Sequence, residues 1–137
     1  MAYLFDTDVI SATLRRAPDL EVVRRIAATP PHEQFTSAIS LGELVFGAVR
    51  RNRTDLLERF GEIVKRLPVL PFDQGAAETF GRLKAELEQR GTPVAEPDLR
   101  IAAIALAFDL TVVSGNERHF RLVTGLRVEN WLAGADG

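Results

Sequence analysis

The sequence contains no cysteine, which excludes disulfide bonds and thiolate metal sites. A chain without cysteine suits a reducing compartment, so we expect a cytoplasmic protein. No apolar run approaches the roughly 18 residues of a membrane-spanning helix, so no membrane association is expected. The N-terminal segment MAYLFDTD has no basic region and is acidic by position 6, which does not fit a signal peptide.

The sequence also lacks a large excess of charge of either sign. Its net charge is −2, so no overall basic field attracts nucleic acid, and any RNA or DNA contact must come from a local patch or from bound cations. Its 137 residues fit a single domain, 1–137, with a proper core. No repeat, low-complexity tract or linker interrupts it.

An acidic segment, Asp6-Thr7-Asp8, ends the first apolar run. Residues 2–5 are predicted to form a buried strand and residues 8–15 a helix. Ligands of open α/β sheets bind beyond the carboxyl ends of the strands, so Asp6 is predicted at the mouth of a site. Capping of the helix by Thr7 or Asp8 is the alternative, and it accounts for one of the two acids.

The rest of the chain alternates predicted strands and helices, which indicates a parallel sheet with right-handed crossovers. Further strands are predicted over 34–39, 68–71, 111–113 and 127–130. Helices are predicted over 20–28, from Ser40 to about 50, over 53–66, from Asp73 to the stop at Gly91, and over 101–108 behind an acidic loop, 96–98, with a short turn through Phe120. Strands 2–5 and 111–113 are the most apolar and are expected to be neighbours at the centre of the sheet.

Aromatic residues are few, at 7% of the chain, and four phenylalanines fall on the apolar faces of predicted helices. Phe46, Phe60, Phe80 and Phe108 are therefore expected in the core rather than as platforms for stacking bases. The helix from Ser40 is expected to bury Val45 and Val49 together with Leu41, Leu44 and Ala48.

Three more polar residues are predicted at the same end of the sheet as Asp6. Each has an ordinary explanation: Glu43 completes a Ser-x-x-Glu capping box, Asp98 suits a helix start, and Asn116 suits a loop cap. Together they favour a site, because grouped carboxylates repel unless they are protonated or bridged by cations. Oxygen ligands without His or Cys suit Mg²⁺ or Mn²⁺, and such ions promote phosphodiester hydrolysis.

The ordered motifs resemble those of the PIN-domain ribonucleases, in particular the VapC toxins of bacterial and archaeal toxin–antitoxin pairs. The resemblance is carried by Asp6-Thr7-Asp8, Ser40-x-x-Glu43-Leu44 with Gly47, Asp98-Leu99-x-Ile101-Ala102-Ala103, and Val113-Ser114-x-Asn116-x-x-His119-Phe120. It implies a three-layer α/β/α sandwich with a mainly parallel sheet and Mg²⁺-dependent endonucleolytic cleavage of RNA. It also implies homodimers and inhibition by a VapB-type antitoxin.

The resemblance implies that Asp6, Glu43, Asp98 and Asn116 are catalytic. Asp6 and Asp98 are expected to hold one metal ion, with Mn²⁺ as a possible substitute for Mg²⁺, and Glu43 to hold or activate water. Many family members carry an acid at the position of Asn116 or of His119. The sequence does not decide whether that fourth position is filled by Asn116, Glu117 or His119. It also does not decide the number of ions.

Arginines near the acidic segments are candidates for RNA phosphate contacts, and Arg15, Arg16 and Arg118 rank first. Arg50, Arg51 and Arg53 could also flank a cleft, although a solvated helix face is the ordinary interpretation. The expected substrate is transfer RNA or ribosomal RNA. The alternatives are a DNA-directed nuclease and a non-catalytic domain that acts through partner binding.

Overall fold

A five-stranded sheet forms the middle of the protein, whose computed structural model describes residues 1–134. The strands are β1 (Tyr3–Phe5), β2 (Gln34–Ser37), β3 (Val69–Leu70), β4 (Thr111–Val113) and β5 (Val128–Glu129), in the order β3-β2-β1-β4-β5. All four pairings are parallel. The helices are α1 (Thr7–Leu14), α2 (Leu20–Ala27), α3 (Ala38–Arg50), α4 (Thr54–Val64), α5 (Gln74–Gln89), α6 (Glu96–Ala107) and α7 (Glu117–Phe120), with a 3₁₀ turn at Pro31–Glu33.

The two most apolar strands are neighbours at the centre, as the sequence predicts. Phe5 of β1 is in register with Val113 of β4 on one side and with Thr36 of β2 on the other. The next residue in each strand therefore emerges at the same carboxyl end of the sheet. This register brings Asp6 and Ser114 side by side, although they are far apart in the chain.

Helices cover both faces of the sheet, which confirms the predicted α/β/α layers. Leu4 and Val112 pack into a core shared with α5 and α6, whereas Phe5 and Val113 point into a second core shared with α1, α2, α3 and α4. Successive side chains of β1 and β4 point to opposite faces of the sheet and therefore pack into two separate cores. Trp131 closes the second core against the rings of Tyr3 and Phe5.

Two predicted element boundaries are wrong, and both errors involve polar residues at helix starts. The helix expected from Ser40 begins at Ala38, and the hydroxyl of Ser37 caps it by accepting from the Ser40 amide at 3.0 Å. The predicted Ser40–Glu43 capping box therefore does not form. The acidic loop 96–98 is the first turn of α6, because Pro97 is compatible with the opening turn of a helix.

One predicted apolar face is also wrong. On α3 the buried stripe is Ser40, Leu44 and Ala48, while Val45, Phe46 and Val49 face outward, with Phe46 64% exposed. Phe60 is buried as predicted, whereas Phe108 at the end of α6 is 38% exposed. In α3 apolar residues occur on more than one side, so spacing alone could not select the buried one.

Among residues 1–134, none of the helices combines the length and the apolar character needed to cross a membrane.

Candidate active site

Asp6 lies at the carboxyl end of the central strand and is almost fully buried, with 6% of its surface exposed. Its carboxylate caps α1 by accepting from the Thr7 amide at 2.7 Å, and the Ser114 hydroxyl donates to its other oxygen at 2.7 Å. The alternative explanation, that Thr7 or Asp8 caps the helix, is therefore wrong. Burial is the main reason that the pKa of Asp6 rises to about 6, and the nearby charges of Asp8 and Asp98 add to the rise.

A chain of hydrogen bonds connects Asp6 to Asp98. The Ser114 hydroxyl, which donates to Asp6, accepts from the Asn116 amide at 2.9 Å. The Asn116 side chain then donates from Nδ2 to Oδ2 of Asp98 at 2.8 Å. Asp98 stands in the first turn of α6, so three elements contribute to one polar network.

Glu43 joins this site from α3 through a contact with α1. The hydroxyl of Thr7, next to Asp6 in the chain, donates to Oε1 of Glu43 at 2.6 Å. The Glu43 side chain is exposed at the edge of the site. Its carboxylate therefore faces solvent, where it can contact water or substrate.

Asp8 anchors the loop that carries Asn116. Its Oδ2 accepts from the Gly115 amide at 2.9 Å, while its buried Oδ1 has no hydrogen-bond partner among the described residues. Burial raises the pKa of Asp8, and the charge of Asp98 contributes to the rise. A Cβ on residue 115 would lie only 2.7 Å from Oδ2 of Asp8, so the loop lies too close to Asp8 for any residue larger than glycine.

The three aspartates fit a divalent cation. The charge of Asp98 helps to raise the pKa values of Asp6 and Asp8, and within residues 1–134 a buried oxygen of Asp8 lacks a hydrogen-bond partner, so the site has unsatisfied negative charge. Within residues 1–134, no three acidic or histidine side chains are already grouped as a metal site. Mg²⁺ does not need such a group, because it is usually held by one or two carboxylates with waters and substrate phosphates.

The other two candidates for the fourth position, Glu117 and His119, make different contacts from those of Asn116. Glu117 directs its carboxylate to Arg121 at 2.9 Å and to Asn130 at 3.4 Å. His119 is half exposed, with Nδ1 3.5 Å from Oδ2 of Asp98. Asn116 is thus the candidate that hydrogen bonds to Asp98, while His119 lies on the solvent side of the same carboxylate.

A large open cleft of about 1130 Å³ begins beside Thr7 and Glu43. It runs between α1 and the α3–α4 hairpin, and we call it the arginine cleft because five of its lining residues are Arg15, Arg16, Arg51, Arg53 and Arg59. Arg15 and Arg16 are two of the three residues that rank first as candidates for phosphate contacts. Arg118, the third, is exposed on α7 and does not line this cleft.

Sequence reasoning missed the partners that hold the site together. Ser114 follows β4 just as Asp6 follows β1, so the strand register would have placed it beside Asp6. Asp8 was considered as a possible helix cap and as part of the acidic motif, but its contact with Gly115 was not foreseen, and Thr7 gave no signal of its contact with Glu43. Arg59 of α4 also gave no signal, because its place in the cleft depends on how α4 packs.

The profile of the PIN domain family matches residues 3–126. The protein belongs to the PIN domain family, as the sequence motifs predict.

Relatives at full length make the comparison more specific. The chain is 33% identical over 136 residues to Ribonuclease VapC2 of Haemophilus influenzae, covering 96% of this chain and 99% of the relative. It is 33% identical over 135 residues to the tRNA(fMet)-specific endonuclease VapC of Salmonella typhimurium, covering 96% and 98%. The crystal structure of DNA-bound VapBC from Salmonella typhimurium matches with a TM-score of 0.87 and 32% identity over 96% of this chain and 98% of that chain.

Proposed function

We propose that this protein is a metal-dependent endoribonuclease and the toxin of a toxin–antitoxin pair, active in the cytoplasm. The observation that carries the proposal is the hydrogen-bonded network from Asp6 through Ser114 and Asn116 to Asp98. Residues from opposite ends of the chain meet there beside an arginine-lined cleft. Full-length relatives named as VapC ribonucleases support the same conclusion.

In the proposed reaction, water attacks the phosphorus, the bond to the leaving ribose oxygen breaks, and that oxygen takes up a proton from solvent. Asp6 and Asp98 would hold Mg²⁺, or Mn²⁺ in its place, and the ion would stabilise the negative charge that develops on the phosphate oxygens. Glu43 is placed to orient or deprotonate the attacking water, and the Thr7 hydroxyl fixes one of its oxygens. Asn116 keeps Asp98 in position.

Structured cellular RNA is the proposed substrate class, with transfer RNA first and ribosomal RNA second. A relative matched over 98% of its length is named as a tRNA(fMet)-specific endonuclease, which supports transfer RNA. Incubating the protein with total RNA and mapping new 5′ ends by sequencing would identify the target. Cleavage restricted to messenger RNA would contradict this choice.

A VapB-type antitoxin is the proposed inhibitor, and the protein is proposed to form homodimers. Matching solved structures are VapBC complexes, which supports the first of these partners. Co-expression with a small protein encoded next to this gene should give a complex without ribonuclease activity. Light scattering of the isolated protein should give twice the 15.1 kDa chain mass, and a monomer at micromolar concentration would contradict the homodimer.

A metal titration with matched substrates tests the enzymatic proposal. The protein should cut single-stranded RNA with Mg²⁺ or Mn²⁺, should stop when EDTA is added, and should lose at least about 10²-fold in rate in Asp98→Asn. Arg82→Ala on the outer surface of α5 is the control and should cut normally. Preferred cleavage of duplex or flap DNA, or no cleavage at any metal concentration, would contradict the proposal.

A further inference from the structure

Residues 129–133, which we call the anchor segment, are attached to the sheet through a buried ring. Trp131 is 2% exposed, and its ring packs edge-on against the rings of Tyr3 and Phe5. Its Nε1 donates to Oε1 of Glu129 at 2.9 Å, so the polar atom of the ring is also satisfied. The middle of the anchor segment therefore has a defined position on β1.

The anchor segment is also attached to α2 at both of its ends. At one end, the Ala133 amide donates to Oδ2 of Asp19, the residue that caps α2, at 2.9 Å. At the other end, the Arg25 guanidinium lies 3.6 Å from Oε1 of Glu129 and 4.9 Å from the centre of the Trp131 ring. The residues between these contacts are therefore held on the surface of the protein.

Leu132 of the anchor segment covers loop 114–116, which carries one of the site residues. The place that a Cβ on residue 115 would take is already occupied by the Leu132 side chain, and it lies 2.7 Å from Oδ2 of Asp8. The same oxygen accepts from the Gly115 amide at 2.9 Å. The Leu132 side chain therefore lies beside this hydrogen bond and limits the access of water to it.

The anchor segment contacts loop 114–116 and its surroundings at two further points. The Ser114 amide donates to the Glu129 carbonyl at 3.0 Å. Just after the loop, Glu117 Oε1 accepts from Nδ2 of Asn130 at 3.4 Å. The loop itself is irregular, so its position depends on such contacts rather than on a helix or a sheet ladder.

We propose that the anchor segment positions the active-site loop, with Leu132 as its principal positioning residue, an inference that rests on the proposed ribonuclease function. Leu132 keeps the Gly115 amide on Asp8. With the loop in this position, Nδ2 of Asn116 donates to Oδ2 of Asp98 at 2.8 Å. Removal of the leucine side chain should leave Asp98 in α6 but allow Asn116 to move away from it.

Amide hydrogen exchange of the metal-free protein, followed by NMR, tests the hold on the loop without cleavage. In Leu132→Ala the Gly115 and Asn116 amides should exchange about tenfold faster than in the wild type, because local opening becomes easier. This acceleration should exceed that of the β1 amides, which report global unfolding. Leu132→Met keeps the side-chain volume and should restore protection. Leu122→Ala, which removes the same atoms at an exposed position, is the control and should leave both amides unchanged.

Cleavage assays at a temperature where every variant is folded connect the loop to the reaction. In Leu132→Ala the maximal rate should fall about tenfold, and the Mg²⁺ concentration that gives half of that rate should rise, as is usual when a residue behind a metal ligand is disturbed. An unfolded fraction would lower the maximal rate without moving the half-saturating concentration. Leu132→Met and Leu122→Ala should match the wild type in both quantities.

Three results would overturn the proposal. One is equal exchange of the loop amides in Leu132→Ala and in the wild type. Another is a loop that opens in the variant while cleavage and its Mg²⁺ dependence stay normal. The third is acceleration of the β1 amides by the same factor as the loop, which would make Leu132 a general stability residue. A wild type that cuts no RNA at any Mg²⁺ concentration, with the loop opening as expected in Leu132→Ala, would instead contradict the ribonuclease function, and the hold of the anchor segment on the loop would stand.

Discussion

At the scale of single residues, the site is a set of carboxylates held in place by uncharged hydrogen-bond donors. Ser114, Asn116, Thr7 and the Gly115 amide each donate to a different carboxylate. These donors fix the positions of the acids but leave them with excess negative charge. The carboxylates are therefore rigid before any cation arrives, which reduces the reorganisation that binding would require.

The buried Asp6 should make the metal-free protein less stable as pH rises. Its pKa is about 6 in the folded protein against an ordinary 3.8, so the folded state binds the proton more tightly than the unfolded chain does. The free energy of unfolding therefore falls between about pH 4 and 6, by up to roughly 3 kcal/mol at 1.36 kcal/mol per pKa unit. Urea unfolding in EDTA would measure it.

Asp6→Asn isolates this effect, because the variant cannot ionise at residue 6. The stability of the variant relative to the wild type should increase from pH 4 to pH 6 and then level off. Asp8 also has a raised pKa, but it is present in both proteins and its contribution largely cancels. A difference that stays constant across this range would contradict the buried-charge explanation.

Gly115→Ala should impair cleavage more than folding. The added methyl group would contact the Leu132 side chain and lie 2.7 Å from Oδ2 of Asp8, which breaks the bond from Asp8 to the loop. We expect at least tenfold slower cleavage and a stability loss of about 1–3 kcal/mol. Gly81→Ala in α5 meets open space and is the control; it should be neutral or slightly stabilising.

At the scale of secondary-structure elements, the site depends on where helices begin. The first turns of α1 and α6 carry Asp8 and Asp98, and the Asp6 side chain caps α1. A carboxylate near a helix N-terminus is favoured by the helix dipole, which partly offsets the mutual repulsion of these acids. The ordinary explanation that the sequence offered for Asp98 is thus compatible with its place in the site.

The start of α3 gives a prediction from two serines three residues apart. The Ser37 hydroxyl caps the helix, whereas the Ser40 hydroxyl is buried without a hydrogen-bond partner in the part of the chain that the structure describes. Ser37→Ala should therefore cost about 1 kcal/mol, while Ser40→Ala should cost little or stabilise. Chemical denaturation of both variants measures these changes in the free energy of unfolding. A larger loss in Ser40→Ala than in Ser37→Ala would contradict capping by Ser37 and favour the capping box at Ser40.

The contrast between these serines shows what sequence could predict and what it could not. The central strands were predictable because Leu4-Phe5 and Val112-Val113 form short apolar runs followed by polar residues. The start of α3 was not, because Ser37 and Ser40 are equally good caps and tertiary packing selects between them. Phe46 was placed in the core because its helix is apolar on several sides, and spacing could not identify the exposed one.

The candidate site also has a part that the sequence could predict and a part that it could not. Asp6 and Asp98 could be predicted because one follows a strand and the other opens a helix, whereas Glu43 lies in the second turn of α3 and was found through its motif. The structure brings all three into linked contacts. Their catalytic roles stay predictions. The arginine cleft could not be predicted as a unit, because Arg15 follows the end of α1, Arg51 follows the end of α3 and Arg59 lies in α4, so that helix packing sets where the side chains meet.

At the scale of the whole molecule, metal binding and folding should be coupled. A cation that binds the folded carboxylates but not the unfolded chain raises the free energy of unfolding by mass action, by about 2.7 kcal/mol at one hundred times its dissociation constant. Mg²⁺ should therefore raise the melting temperature of the wild type but not of Asp6→Asn or Asp98→Asn. KCl at equal ionic strength is the control, and equal stabilisation of all three proteins would contradict the site.

The central strands β1 and β4 are neighbours in space, yet the Asp6–Ser114 hydrogen bond spans 108 positions of the chain. During synthesis, a ribosome must release residues beyond Ser114 before this bond and the Asn116–Asp98 contact can form. A growing or prematurely terminated polypeptide therefore lacks the assembled pocket. The strand order thus delays assembly of the pocket until residues 114–116 have left the ribosome.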